Sequence, residues 1–213
     1  MLRLLFCGLV VVLCFYQIPP MATAAAPSDI TKLSVIPIRD GMNQIGDFSG
    51  DGRRTMIIEG WRDNGNAHGY HVFLVMLESE PGRGDWNVVT VQRKPTEHER
   101  DIVNDDPHTA EDAVCSVRFA RGLVHEKPAT LLIIATRQLA PSVSLADPAP
   151  VDIEFYRLVQ NDLPGWPPDH FDLLETIRPR TPYCNSDLAL TKEIGLPLPD
   201  PYVGPNRDDG CLH

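Results

Sequence analysis

The sequence predicts a mainly β domain, either an antiparallel meander or a sandwich, with long loops and an irregular proline-rich C-terminal tail. Short apolar or alternating segments bounded by turn residues recur at intervals of roughly ten residues, which is typical of antiparallel strands. Sustained helical periodicity is rare. From Leu163 onward, nine of the 20 prolines fall within 51 residues, which excludes long regular structure in the tail.

Nine segments of the chain carry the strand pattern. They are 32–38, 44–48, 55–61, 71–78, 86–92, 115–120, 129–136, 151–159 and 171–177. Residues 131–134 are apolar at every position, so we expect the most buried strand there. Glu154 falls in an alternating strand and is predicted to face solvent. The polar segment 94–112 contains two prolines and is predicted to form an exposed loop.

The amino terminus has the organisation of a cleavable signal peptide. Arg3 precedes an apolar run from Leu4 to Ile18, whose 15 residues are fewer than the roughly 20 that span a bilayer. Ala22 and Ala24 place small residues at the −3 and −1 positions of a cleavage site. We therefore expect residues 1–24 to be removed, leaving an exported protein, periplasmic or extracellular, without a membrane anchor.

The mature chain is predicted to hold a β-rich core domain at 25–162 and the proline-rich tail at 163–213. We expect the tail to pack on the core, with residues 201–213 the most prone to disorder. The formal charge of −10 becomes −11 when Arg3 is lost, because no other charged residue lies in the first 24. This acidic balance disfavours nucleic acid and anionic membranes as partners.

Three cysteines remain after cleavage, which allows one internal disulfide and one free thiol. Cys184 with Cys211 would tie down the tail, whereas Cys115 with Cys184 would fasten the tail to the core. The first pairing is slightly favoured, because Cys115 lies in an apolar run where a buried thiol would be inert. The second pairing stays open.

The segment 46–53 has the spacing of a calcium-binding loop. Asp47, Ser49 and Asp51 offer oxygen ligands at alternate positions, and a glycine follows for the sharp turn. An EF-hand also needs glutamate where Ile58 stands, so that motif is excluded. The loop resembles the calcium loops of FG-GAP and VCBS repeats, although Thr55 occupies the position of their ninth-residue aspartate. The alternative is a hairpin turn without a metal.

The polar loop between the third and fourth predicted strands offers candidate ligand-binding side chains. They are Arg62, Asn64, Asn66, His68 and Tyr70. Arginine can grip a carboxylate with two hydrogen bonds, asparagine both donates and accepts, and tyrosine offers a flat apolar face. This set suits a small polar ligand. The alternative is a hairpin stabilised by its own hydrogen bonds, with no ligand.

Known catalytic signatures are absent from the sequence. It contains no Gly-x-Ser-x-Gly, no Ser-x-x-Lys and no His-Glu-x-x-His. His68 and His71 are three residues apart, and in a strand such residues point to opposite faces, which disfavours a zinc site on this pair. No nucleophile stands out.

The Gly-Asp-Gly loop, the Arg-x-Asn-x-Asn-Ala-His-Gly segment and the cysteine strand with its nearby arginine resemble the CarG-like family of carbapenem intrinsic resistance proteins. The matching stretches are 47–52, 62–69, 112–118 and, more loosely, 136–158. The resemblance implies a periplasmic, β-rich protein that protects its host from a carbapenem without destroying the drug. The long proline-rich tail departs from the family pattern, and no catalytic residue carries over.

Three functions follow as hypotheses. The first is an exported, non-catalytic binding or protective protein, monomeric or homodimeric, whose partner is a small polar ligand or an envelope protein. The second is a secreted hydrolase with His68 or His71 as general base, which requires these side chains to face a concavity with acidic residues. The third is an envelope structural or interaction module, in which the segment 197–201 binds a partner as polyproline II.

Overall fold

Eleven strands and one helix make up the regular structure of the residues that the computed structural model describes. Those residues are 29–66, 68–92, 99–105, 113–141, 144, 146–162, 164–200, 202 and 204–211. The elements are β1 (Ile30–Val35), β2 (Gly41–Asp47), β3 (Arg54–Arg62), β4 (Tyr70–Glu78), β5 (Trp86–Val88), β6 (Thr90–Gln92), β7 (Val103–Asn104), β8 (Cys115–Val124), β9 (Lys127–Arg137), β10 (Val151–Gln160), β11 (Asp169–Ile177) and α1 (Ser186–Ile194). The predicted signal peptide, 1–24, and parts of the predicted polar loop lie outside the described residues.

The strands form two sheets, and the prediction of a mainly antiparallel β fold is confirmed. A six-stranded sheet has the order β1-β8-β9-β10-β11-β6. A five-stranded sheet has the order β2-β3-β4-β5, with β7 added against β4. The β6–β11 pair is parallel, while the other strand pairs are antiparallel. The arrangement is a β sandwich.

The predicted strand at 86–92 is divided between the two sheets. β5 pairs with β4, whereas β6 pairs with β11 in the opposite sheet. Val89 is the residue at the crossing, and its N–H donates to the Val75 carbonyl over 2.9 Å. The run looks continuous in the sequence because both halves and the buried Val89 carry strand-forming residues.

β9 is covered on both faces, as the apolar run 131–134 predicts. Leu132 and Ile134 belong to the core between the two sheets, together with Phe73 and Phe119. Leu131 belongs to a second core on the outer face of the six-stranded sheet, and Ile133 lies on that same face. α1 and the tail cover this outer face with Leu188, Leu190 and Leu196.

The helix in the tail has clear end signals that the proline count obscured. Asn185 caps its start, and its side chain accepts from the N–H groups of Asp187 and Leu188. Gly195 ends it with a φ of 73°, the left-handed conformation that glycine adopts without strain. Among the described residues, no helix is long and apolar enough to cross a membrane.

The division of the chain at residue 162 stays a prediction. β11 follows that position and forms an inner strand of the six-stranded sheet, between β10 and β6. The later part of the tail, with α1, covers the outer face of the same sheet. The chain after 162 therefore completes the sandwich and covers it.

The prediction that Glu154 faces solvent is wrong. Its side chain is buried, and Glu154 Oε2 accepts from the Tyr156 hydroxyl at 2.9 Å. Both residues lie on the face of β10 that is directed at the second sheet, because Tyr156 belongs to the core between the sheets. A hydrogen bond to a neighbouring hydroxyl reduces the cost of burying this carboxyl group.

The Cys184–Cys211 disulfide is present, which confirms the favoured pairing. Cys115 is half-buried, and its thiol donates to the Asn104 carbonyl at 3.6 Å. The disulfide joins the residue before the α1 cap to the end of the described tail, and the Cys184 N–H also donates to the Asp209 carbonyl over 2.8 Å. The bond therefore holds the tail against the helix.

Replacing both bonded cysteines, Cys184→Ala with Cys211→Ala, is expected to lower the free energy of unfolding. The bond closes a loop with a sequence separation of 27, and the loss of this constraint on the unfolded chain costs about 3–4 kcal/mol. Urea unfolding measures the change. Reductant should bring the unaltered protein to the level of the variant and leave the variant unchanged; equal stability without reductant would contradict the expectation.

Candidate functional site

A cleft opens at the edge of the six-stranded sheet where β1 ends. Among the described strands, β1 pairs with the second half of β8, from Ala120 to Val124. The first half of β8 is therefore an open edge on that side. The chain that follows β1 passes along this edge, and the Ile36 N–H donates to the Phe119 carbonyl over 2.7 Å. The cleft has a volume of about 830 Å³.

The two faces of the β8 edge give the cleft two different walls. Phe73, Val117 and Phe119 come from the core between the sheets and form an apolar wall. Arg118 and Asp187 belong to the opposite face and form a polar wall at the start of α1. The tail contributes further lining residues, which are Pro197, Leu198, Pro199, Asp200 and Tyr202.

The inward face of the five-stranded sheet becomes polar where it reaches the cleft. Ile57 and Phe73 lie on this face and are buried in the core. Glu59 pairs with Phe73, and Trp61 pairs with His71. Because side chains alternate along a strand, Glu59 and His71 continue the same inward face by one further position each. Both line the cleft.

Asp105 fixes the orientation of His71. Asp105 Oδ1 accepts from the His71 backbone N–H at 2.6 Å, and Asp105 Oδ2 lies 3.0 Å from His71 Nδ1. Asp105 directly follows β7, which pairs with β4 at Val72 and Phe73. The Trp61 ring packs edge-to-face on the imidazole, with 4.8 Å between ring centroids. The imidazole is therefore held on two sides.

The pKa values of His71 and Glu59 are both raised, for different main reasons. The hydrogen bond to the Asp105 carboxylate raises the pKa of His71; burial opposes this, and the charges of Asp105, Glu59 and Asp40 add to it. Burial raises the pKa of Glu59, and the charges of Asp40 and Asp105 raise it further, against His71 and Arg118. This part of the cleft therefore favours positive charge.

Asp40, Glu59 and His71 form a group with metal-binding chemistry. Their ligand atoms all lie within 4.8 Å of one another. Asp40 is exposed, while Glu59 and His71 are half-buried. Carboxylate oxygens and an imidazole nitrogen are ligands for first-row divalent cations.

Arg118 lies on the polar wall between β8 and α1. Its guanidinium forms an ion pair with Asp187 in the first turn of α1, and it also donates to the Val117 carbonyl at 2.8 Å. A guanidinium has more N–H donors than these two contacts use. Arg118 can therefore bind an anionic group of a ligand while keeping its place beside the helix.

The predicted ligand-binding residues of the β3–β4 hairpin do not line the cleft. They are Arg62, Asn64, Asn66, His68 and Tyr70. Asn64 Nδ2 donates to the His68 carbonyl, and Asn66 Oδ1 accepts from the His68 N–H, both at 2.8 Å. The Arg62 guanidinium lies over the Tyr70 ring, 5.4 Å from its centroid. These groups stabilise the turn itself, and a role in ligand binding stays a prediction.

His68 and His71 occupy different environments. His68 is exposed in the hairpin loop, whereas His71 lines the cleft with Glu59 and Asp105. Of the two histidines proposed as a general base, His71 alone shares a concavity with acidic residues. The sequence predicted a strand at 115–120, but it assigned neither this strand nor Asp40, Glu59 and Asp105 to a functional site.

The predicted calcium ligands bond to their own loop. Ser49 Oγ donates to Asp51 Oδ1 at 2.6 Å, and the Gly50 N–H donates to Asp47 Oδ1 at 2.6 Å. Asp51 Oδ2 also accepts from Arg53 Nε at 2.7 Å. The Arg53 guanidinium pairs with Asp51, and backbone N–H groups donate to Asp47, as in a stable turn. Calcium binding at this loop stays a prediction.

The fold and the cleft define a two-sheet β sandwich with a cleft that is large enough for a small organic molecule. No known protein family matches the sequence, and no curated protein does. The crystal structure of CarG superposes with a TM-score of 0.60 and 19% identity, over 75% of this chain and 94% of that chain. This likeness supports a CarG-like fold, in agreement with the resemblance of the sequence.

The substitution Asp105→Asn is expected to lower the pKa of His71 toward its ordinary value of 6.5. Asparagine keeps the acceptor for the backbone N–H but removes the negative charge at Nδ1. NMR titration of the imidazole in the presence of a chelator measures the change. A raised pKa stabilises the fold below pH 6.5 and loses this effect as pH rises through the folded value, so the variant should lose more stability at pH 6 than at pH 9.

The Glu175→Gln variant is a matched control, because it removes one half-buried carboxylate of β11 away from the cleft lining. Its His71 titration should equal that of the unaltered protein. An unchanged His71 pKa in Asp105→Asn would contradict the assigned hydrogen bond.

Proposed function

We propose that the protein is an exported, non-catalytic binding protein that takes a carbapenem, or a close chemical relative, in its cleft. One observation carries the proposal: a cleft of about 830 Å³ with an apolar wall on one side and charged groups on the other. Small-molecule sites have this composition and a volume of roughly 300–1,000 Å³. The resemblance of the sequence and the shared CarG fold support the choice of ligand class.

The two walls suit the chemistry of a carbapenem. Its fused rings are compact and largely apolar, which matches the surface formed by Phe73, Val117 and Phe119. Its carboxylate needs a cationic partner, and Arg118 lies on the facing wall. Hydrogen bonds between charged groups are stronger than neutral ones and give orientation as well as affinity.

The hydrogen bond of Ser116, whose hydroxyl lies on the cleft wall, agrees with binding without turnover. Ser186 donates to the Ala113 carbonyl at 2.8 Å. The single hydroxyl proton of Ser186 is used in this bond. The Ser116 hydroxyl lies 2.6 Å from that of Ser186 and is therefore the donor between them. The Ser116 proton is directed at Ser186, the first residue of α1, and a nucleophile would need it directed at a base.

Export is part of the proposal. The amino-terminal segment has the pattern of a signal peptide, and the Cys184–Cys211 disulfide is of a kind that persists in oxidising compartments. A protein that protects against a cell-wall antibiotic acts where the drug does, outside the cytoplasm.

Hydrolysis is the second candidate function, and the His71–Asp105 hydrogen bond favours it. A histidine oriented by a carboxylate inside a cleft is the arrangement of a general base. The two candidates differ in the fate of the ligand, which is intact after binding and consumed after hydrolysis.

Calorimetric titration with imipenem tests the proposal. We expect saturable binding that weakens about tenfold to a hundredfold in Arg118→Gln, because a hydrogen bond to a charged group contributes about 1.5–3 kcal/mol. Arg121→Gln is the matched control, since Arg121 lies on the same strand but outside the cleft lining. Circular dichroism verifies that both variants fold.

Ultraviolet absorbance of the drug, followed in parallel, should stay constant over hours. Steady loss of absorbance that depends on His71 would replace the proposal with the hydrolase. An absence of binding heat, or an equal loss in Arg121→Gln, would overturn the carbapenem cleft.

A further inference from the structure

Three side chains with metal-binding chemistry converge at the rim of the cleft from separate parts of the five-stranded sheet. Glu59 comes from β3, His71 from β4, and Asp40 from the turn that leads into β2. Their ligand atoms lie within 4.8 Å of one another. The geometry points to a site for a divalent first-row cation, with Zn²⁺ as the best match, formed by Asp40, Glu59 and His71.

The backbone that carries these three residues is fixed. β3 and β4 pair over their full length, from Arg62 opposite Tyr70 to Thr55 opposite Leu77. The turn before β2 is closed by Asn43, whose side chain accepts from the Arg39 N–H at 3.0 Å and donates to the Arg39 carbonyl at 2.7 Å. Asp40 is the next residue. Strand pairing and the Asn43 hydrogen bonds therefore hold the backbone that carries the candidate ligands.

Asp105 completes the arrangement behind His71. The Asp105 carboxylate accepts hydrogen bonds, so His71 Nδ1 is the donor in the 3.0 Å contact. In the neutral ring, Nε2 then carries the lone pair that a metal needs. Histidine ligands of metals generally donate their other ring N–H to a carboxylate or a carbonyl in this way, which fixes the tautomer and the ring orientation.

The ligand set selects the type of metal. Imidazole nitrogen with two carboxylates suits Zn²⁺ and its first-row neighbours, whereas Ca²⁺ and Mg²⁺ prefer oxygen ligands alone. In a tetrahedral site, ligand atoms at 2.0–2.2 Å from zinc are roughly 3.4 Å from one another. Contraction from a spacing of up to 4.8 Å by as much as about 1.4 Å is within the reach of an exposed aspartate such as Asp40.

The charge of this region gives a reason for a cation. The candidate ligand atoms of Asp40 and Glu59 lie within 4.8 Å of each other, and Asp105 adds a third carboxyl group beside His71. A bound divalent cation would offset the repulsion among these carboxyl groups. Three protein ligands also leave a coordination position for water or for an anionic group of a molecule in the cleft.

Zinc binding does not depend on the proposed carbapenem site. The metal ligands lie on the five-stranded sheet, and Arg118 lies on the opposite wall. The site can therefore be tested in the absence of any drug.

The test is calorimetric titration of the untagged, chelator-treated protein with ZnCl₂ near neutral pH. We expect one zinc ion per chain and a loss of affinity of at least about tenfold in Glu59→Gln and in His71→Gln. Two matched controls should bind zinc as the unaltered protein does. His68→Gln removes the exposed hairpin histidine, and Asp51→Ala removes a carboxylate of the predicted calcium loop.

Cobalt spectroscopy of the unaltered protein supplies a readout that needs no substitution. Co²⁺ in a tetrahedral site with nitrogen and oxygen ligands gives visible d–d bands, and excess Zn²⁺ should abolish them. Retained zinc affinity in folded Glu59→Gln and His71→Gln, zinc affinity lost in Asp51→Ala instead, or a Co²⁺ spectrum equal to that of the hydrated ion would each overturn the site.

Discussion

The burial of β9 on both faces is the constraint that the rest of the structure depends on. Consecutive apolar residues in a strand point to opposite faces, so the run from Leu131 to Ile134 needs two separate covers. The five-stranded sheet covers one face, and α1 with the tail covers the other. The Cys184–Cys211 disulfide closes the second cover by joining the start of the helix to the end of the described chain.

The cleft lies where the two layers that cover β9, the five-stranded sheet and α1 with the tail, come to an end. β1 pairs with half of β8 and then leaves the sheet. The other half of the β8 edge therefore opens both toward the core between the sheets and toward α1. One side brings apolar rings and the other brings Arg118 with its partner in α1. Glu59 and His71 take inward positions that would be apolar if the core extended further. A binding site therefore lies where the packing of the sandwich stops.

Much of the fold was predictable from local patterns, because strand periodicity and the doubly apolar run depend on neighbouring residues alone. The crossing at Val89 was not predictable, because β5 and β6 are assigned to different sheets by their pairing partners, and the partner of β6 is far along the chain. The sequence contains the end signals of α1, Asn185 and Gly195. The helix was not predicted because the many prolines of the tail argue against regular structure. The site was missed because its residues meet only through strand register. Once the hairpin register is set, Glu59 and His71 stand out as polar residues on an inward face.

Hydrogen–deuterium exchange with imipenem present and absent tests most directly whether the cleft, and not the β3–β4 hairpin, receives the ligand. Bound ligand excludes water and slows the opening of the backbone that it contacts. We expect slower exchange in the segments 36–40 and 116–119, which line the cleft, and unchanged exchange in the segment 62–70. Protection confined to 62–70, or no protection in any segment, would contradict the assignment of the cleft as the binding site.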